Sequence, residues 1–205
     1  MLEVLTDPNG FFKRKSNEPI EFKMPIVIIL IMAIVAAATA VIVTQNVMGT
    51  LPEEAAAFAG IGAAVAAIFA VIGTFIAWAI YGVIFYVISM LFHGEGSFKR
   101  VMEFVSYGFI PSIISSIVSA FYTSRAYSNI DFSNPELIQD ALLADPTLRI
   151  AGIIGIIFTL WSANIWIFAL AHSRNLSVKN AAIVVGVPIL LSILYSIYQL
   201  GIFGA

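Results

Sequence analysis

Few side chains in this sequence can do chemistry, and their positions narrow what that chemistry is. There is no cysteine, which excludes thiolate catalysis, a disulfide framework and Cys-ligated metal or iron–sulfur centres. The two histidines, His93 and His172, each sit where a long apolar run ends. Glu95 and Glu103 follow His93, and imidazole with carboxylate suits zinc, but no ligand spacing supports a metal site. Histidines capping helix C-termini are the simpler reading. The apolar runs themselves hold no Asp, Glu, Lys, Arg or His between Pro25 and Val43, Ala55 and Phe92, Phe104 and Thr123, Ile150 and Ala171, or Ala181 and Phe203. Proton relays, ion-coupled transport and acid–base catalysis at membrane depth therefore lack their usual groups. No cofactor is implied, and the expected class is non-enzymatic.

Uncharged polar residues do occur in the runs. Tyr107, Pro111, Ser112, Ser115, Ser116 and Ser119 fall close together, and the spacing 112, 115, 116, 119 puts four small hydroxyls on one helix face. Such a stripe either lines a polar path or lets helices pack closely, with hydroxyls bonding across the contact. Packing is the preferred reading. Pro111 is expected to kink its helix, and Pro188 to act similarly further on. Asn164, between Trp161 and Trp166, is expected to face another helix, because an amide in lipid needs a partner.

One short stretch points to an interaction. Phe11 and Phe12 stand beside Lys13, Arg14 and Lys15, after Asp7-Pro8, a helix-capping pair. A membrane-interface position would suit both the rings and the bases. The alternative is docking onto the turns of its own chain, near Ser97 and Ser177.

The elements that must position these residues follow from composition. Only 11% of the 205 residues are charged, 60% are hydrophobic, and the mean hydropathy is +0.99. A soluble domain of this size would carry roughly a quarter charged residues. The net charge of −2 offers no basic field for nucleic acid. The chain reads as an integral, multi-pass, all-α membrane protein, in the cell membrane if the source is prokaryotic. Spans are expected over about 25–45, 58–92, 104–123, 149–171 and 180–203, each long enough for a hydrocarbon core of roughly 30 Å.

The run around 58–92 is long enough to be one helix or a hairpin. Charge decides between them. Five spans place Lys13, Arg14, Lys15, Lys23, Lys99, Arg100, Arg174 and Lys179 on one side and only Arg125 and Arg149 on the other. The positive-inside rule then puts the N-terminus in the cytoplasm and the C-terminus outside. Residues 1–24 form a cytoplasmic or interfacial segment, 25–205 the membrane domain, and 124–148 an outer loop with a short helix over about 135–144. The first span, preceded by four acids and four bases, reads as uncleaved rather than as a signal peptide. Thr50-Leu51-Pro52-Glu53 and Ser133 with Glu136 have the form of capping boxes. Gly60 and Gly62 offer a place for a kink. Small residues at Ala36 and Ala40, at Ala59, Ala63 and Ala67, and at Gly152 and Gly155 favour close helix contacts within the chain or between copies.

Three groups of residues resemble the Yip family of multi-pass membrane proteins, whose eukaryotic members interact with Rab/Ypt GTPases. They are Leu5-Thr6-Asp7-Pro8-Asn9-Gly10-Phe11-Phe12; Gly94-Glu95-Gly96-Ser97-Phe98-Lys99-Arg100 with Val105-Ser106-Tyr107-Gly108-Phe109-Ile110-Pro111; and Trp161 with Ala169 through Ala181. The likeness covers nearly the whole chain and is closest to prokaryotic members. It implies a five-span, N-inside protein that scaffolds, sorts or shapes membrane through lipid or protein partners, including copies of itself. It brings no catalytic residues with it. The Asp-Leu-Tyr-Gly-type signature of eukaryotic relatives is absent, the N-terminal region is short, and Tyr107-Gly108 reverses the family's Gly-Tyr order. These departures argue against GTPase binding. The rival class is a small channel or transporter for an uncharged or lipid-like solute.

Overall fold

The computed structural model describes residues 2–48, 58–128, 130 and 135–199. Among these it is all helix. Two short helices, α1 (Glu3–Thr6) and α2 (Pro8–Lys15), precede a long α3 (Lys23–Met48) and α4 (Ala59–Met90). Next come α5 (Phe98–Tyr107), α6 (Ile110–Tyr127), the short α7 (Pro135–Ala144), α8 (Pro146–Ser173) and α9 (Val178–Gln199). Four helices, α3, α4, α8 and α9, are long and apolar enough to cross a membrane, and the α5–α6 pair makes a fifth span if counted as one. The protein is a multi-pass integral membrane protein.

The run around 58–92 is one helix. Its 32 residues pass through Gly60 and Gly62 without a break. Gly62 lies 3.6 Å from side-chain atoms of Thr44 and Met48 on α3, had it a Cβ, so the small residues there serve an intrachain contact. The Thr50–Glu53 capping box and Ser133 lie outside the described residues.

The third span differs from its expectation. It begins at Phe98, ends at Tyr107, and resumes at Ile110 after a bend of 42°. The break falls at Gly108-Phe109, whose N–H groups turn back to the carbonyls of Val105 and Ser106 three residues earlier (3.2 and 3.1 Å). Pro111 does not kink a continuous helix. It sits in the first turn of α6, where its missing N–H costs nothing. Proline also disfavours helical geometry just ahead of itself. Gly108 is packed under the Trp166 indole, where any Cβ would collide. The same indole donates to the Val105 carbonyl at 2.8 Å, capping the end of α5.

Four helix starts have a side-chain cap. The Asp7 carboxylate accepts from Gly10 N–H at 2.9 Å, Ser97 Oγ from Arg100 N–H at 3.2 Å, and Ser177 Oγ from Asn180 N–H at 3.2 Å. Asp145 caps α8 by accepting from Thr147 and Leu148, and these bonds hold its carboxyl below the usual range. The ends of α4 and α8 are alike. His93 and Asn175 take the left-handed conformation, with φ of 56° and 51°. The next N–H then returns to the helix, Gly94 to Ser89 O and Leu176 to Ala171 O, both at 3.0 Å. This is the Schellman closure, normally built on glycine.

With α5–α6 counted as one span, successive passes run in opposite directions. The starts of α3, α5 and α9 meet the ends of α4 and α8 at one end of the bundle. All eight bases named above lie there, and Arg125 and Arg149 lie at the other. The buried core is concentrated at this basic end. It runs from Val4 and Phe12 through Phe85, Val101, Phe104 and Val105 to Ile165, Trp166, Leu170, Ala181 and Val184. Away from it, α4 and α9 expose Ile68, Phe69, Ile72, Leu190, Leu191 and Leu194, as lipid-facing helices do.

Candidate functional site

The N-terminal segment is built into the basic end. Phe12 is completely buried, its ring centroid 4.8 Å from that of Phe104 and 6.0 Å from that of Tyr107. Phe11 stacks edge-on to Phe12 and Tyr107 at 5.1 and 5.0 Å. Val4 is buried too. Two polar bonds bring α1 and α2 against α8: Asn9 Oδ1 to His172 Nε2 at 2.8 Å, and the Trp161 indole N–H to the Leu5 carbonyl at 3.3 Å. Of the two placements the sequence allows, the rings occupy the one inside the chain. Phe12 is not available to lipid.

The three bases part company. Lys13 and Arg14 are exposed, and Arg14 pairs with Glu3. Lys15 turns inward. Its ammonium lies 2.9 Å from Glu18 and 3.7 Å from Glu103, and the Glu18 bond raises its pKa above 10.5. Glu18 is correspondingly lowered, first by its hydrogen bond from Lys15. Glu103 is fully buried and bridges three elements. It takes Arg100 Nη1 at 2.8 Å and Glu21 N–H at 3.3 Å besides Lys15. Arg100 also donates to the carbonyls of Lys15 and Glu18, at 3.4 and 2.5 Å, so one carboxylate and one guanidinium clamp the N-terminal segment to α5.

A second clamp was invisible in the sequence. Arg174, 3% exposed, points into the α4–α5 turn. It donates to Ser89 Oγ at 2.9 Å and to the carbonyls of Gly94 and Gly96, and lies 4.4 Å over the Tyr86 ring. Gly96 has φ 119°, and a Cβ there would meet the Ser173 carbonyl. Reading Arg174 and Glu103 merely as charges missed both. Their one signal is an ionisable residue at the edge of an apolar run, Glu103 directly before Phe104 and Arg174 shortly after Ala171. Beside these clamps lies a polar hollow of about 420 Å³, lined by Ser16, Ser97, Arg100, His172, Ser173 and Asn175. The Ser173 hydroxyl is buried with no hydrogen-bond partner. His93, His172 and the nearby carboxylates do not converge. Among the described residues, no three groups of metal-binding type come together.

The serine stripe lies in the far half of the bundle. Ser112, Ser115, Ser116, Ser119 and Thr123 of α6 face Gly152, Gly155 and Thr159 of α8, with Tyr195 and Ser196 of α9 alongside, around a groove of about 460 Å³. Ser112 Oγ meets Ser162 Oγ at 3.2 Å at its inner end. Beyond that bond the aromatic rings of Tyr81, Phe85, Phe109 and Trp166 close the bundle, with Tyr81 stacked on Trp166 at 4.8 Å. Asn164 does not join the groove or a helix contact. It is exposed, because Ser162, Ala163, Ile165 and Trp166 occupy the inner face of α8 and turn it outward. The expectation of a helix-facing amide is corrected accordingly. Tyr107 is buried under Phe11 and Phe12, well away from the stripe.

Comparison with known proteins agrees with this architecture. A family model for the Yip1 domain matches residues 2–199. The uncharacterized protein MJ0794 of Methanocaldococcus jannaschii is 36% identical over 119 residues, which are 58% of this chain and 84% of that protein. No solved structure matches significantly. The family match takes in the docked N-terminal helices as well as the membrane spans, and the chain belongs to the Yip1 domain family.

Proposed function

We propose that this protein is a non-enzymatic membrane organiser, acting through lipid and protein contacts at its basic end. One observation carries the reading. The tightly packed end of the molecule spends its inward charges on its own architecture, in the Lys15–Glu103–Arg100 and Arg174 clamps, and leaves Lys13, Arg14, Lys99 and Lys179 exposed around the rim. A rigid platform whose rim carries these cations, set among the exposed carboxylates of Glu3, Asp7, Glu18, Glu21 and Glu95, offers local contacts to anionic headgroups, each unpaired base contributing about 1 kcal/mol near such a surface. By the positive-inside rule this end faces the cytoplasm.

The test uses the full chain in nanodiscs of mixed neutral and anionic lipid. Anionic lipid is expected to be enriched around the protein and to redistribute when salt is raised, since screening at 0.15 M acts over about 8 Å. Replacing Lys13, Arg14, Lys99 and Lys179 by Gln should abolish the enrichment with the fold intact. Equal enrichment in the variant would defeat the proposal. Orientation is read separately. Cysteines placed at Glu95 and Asn175 should be shielded from an impermeant thiol reagent applied outside the cell.

The rival reading, passage of an uncharged solute, draws on the hydroxyl-lined groove. Its closed inner end, at the Ser112–Ser162 bond and the aromatic cluster, favours occupancy over conduction.

A further inference from the structure

The groove of the far half has a feature that close packing does not explain. Hydroxyls in transmembrane helices usually bond back to the carbonyl four residues earlier, as Thr39, Thr74, Thr159 and Ser196 do here. Ser115, Ser116, Ser119 and Thr123 do not. Among the described residues their hydroxyls have no hydrogen-bond partner, although Ser115 is 9% exposed and all four line the groove. Their oxygens face the open groove rather than the packed interior, so what fills the groove decides whether they are bonded, and a hydroxyl left against hydrocarbon costs about 1–3 kcal/mol. Four in a row, in a cleft running from the end of the span toward its middle, call for an occupant that carries hydrogen-bonding atoms of its own.

We propose that this groove is a binding site for an uncharged glycerolipid, one whose head is a free hydroxyl rather than a phosphate. The lining names the chemistry. It has hydroxyls and exposed backbone at Gly152 and Gly155 but no charged side chain, so a charged headgroup drawn along it would lose its hydration with nothing to replace it. Ester, ether and hydroxyl oxygens match the serine row. The chains have somewhere to go, because the same three helices expose Ile117 and Phe121, Ile153 and Ile157, and Leu191 and Leu194. The proposal rests on the groove alone and does not depend on the platform at the basic end.

The structure also supplies the probe variants. A Cβ at Gly155 would meet nothing within 4 Å, and the same holds at Gly73 on α4, away from the groove. Gly155→Leu therefore fills the site and Gly73→Leu is its matched control. The full chain, reconstituted in nanodiscs, is irradiated with a diazirine-bearing diacylglycerol and, in parallel, with a diazirine-bearing phosphatidylglycerol, and the labelled peptides are mapped. Diacylglycerol should label α6 and the first half of α8, compete with unlabelled diacylglycerol, and fall about tenfold in Gly155→Leu while Gly73→Leu matches the parent. Ser115→Ala with Ser119→Ala, which removes two hydroxyls without filling the groove, should fall roughly tenfold as well. Labelling unchanged in both groove variants would overturn the proposal. So would stronger labelling by the phosphatidylglycerol probe, or absence of label from α6 and α8. Glycerol flux into liposomes that Gly155→Leu blocks would overturn it in favour of a solute path.

Discussion

Removing the Phe12 ring should release the N-terminal segment while the spans stay folded. The ring is fully buried against Phe104, Phe11 and Tyr107. Truncating such a side chain costs about 3–5 kcal/mol, some of it from aromatic edge contacts worth roughly 0.5–1.5 kcal/mol each. The remaining anchors of the segment are Val4 and Pro8, the Asn9–His172 and Trp161–Leu5 bonds, the Lys15 ion pairs and the Arg100 bonds to the Lys15 and Glu18 carbonyls. None of them replaces the ring at the centre of the aromatic cluster. Phe12→Ala should therefore raise amide exchange across residues 3–15 by about a hundredfold or more, or to the unprotected rate, with α3 and the inner half of α8 unchanged. The assay is hydrogen exchange with mass spectrometry on the full chain in nanodiscs. Phe12→Leu keeps most of the apolar volume and should lose only about 1–1.5 kcal/mol, which covers the case in which the alanine variant fails to assemble. Phe11→Ala, at a partly exposed position, should fall between the two. Unaltered exchange in Phe12→Ala, or a larger effect from Phe11→Ala, would refute the docking argument.

Three further expectations follow from the same geometry. Glu103→Ala leaves the Lys15 and Arg100 cations facing each other without their shared carboxylate, and should cost about 3–5 kcal/mol in chemical unfolding; Lys15→Met in that background should recover part of the loss. Glu18, whose pKa is lowered by Lys15, contributes stability that is fully present above pH 4.5 and lost as pH falls through its lowered folded value. Acid titration of exchange at residues 13–18 should show that loss in the parent chain and not in Glu18→Gln, whereas Lys15, raised above 10.5, predicts no change between pH 6 and 9. Asn164→Leu should leave thermal stability within about 0.5 kcal/mol of the parent, because the amide is exposed on the outer face of α8 and supports no helix contact.

The parts of this fold visible in the sequence are those governed by short-range or compositional physics. Charge-free runs marked the spans, and the capping pair Asp7-Pro8 marked a helix start that the structure contains. The 112–119 spacing placed four serines on one face, and the groove shows that face intact. Long-range pairings stayed hidden. Nothing near Glu103 announces that Lys15 will reach it across the N-terminal loop, and nothing near Arg174 announces the carbonyls of a turn about 80 residues away. Proline misled for a related reason. Its local rule gives a kink or a start, and the choice at Pro111 was made by the approach of Trp166 to Gly108, a contact from another helix. Asn164 shows the limit of arguing from cost alone. That an amide would be better paired does not turn it inward when its neighbours on both sides fill the inner face.

These features divide the molecule into two regimes. At the basic end, residues from seven helices interlock around Phe12, Phe104 and Trp166, in the manner of a water-soluble core. In α3, α4, α8 and α9, only 11–33% of the residues in the most apolar stretch are buried within the protein. Lipid tails are as apolar as the helices, so little draws those surfaces together there. The relative positions of the spans must then be set at the basic end. The elements that set them are the ones the spans alone do not provide: the docked N-terminal helices, α5, and the Glu103 and Arg174 clamps. On this argument the N-terminal segment completes the interlocked end, and the Arg174 clamp with the Phe85–Trp166–Phe109 cluster keeps the spans together when a partner displaces it.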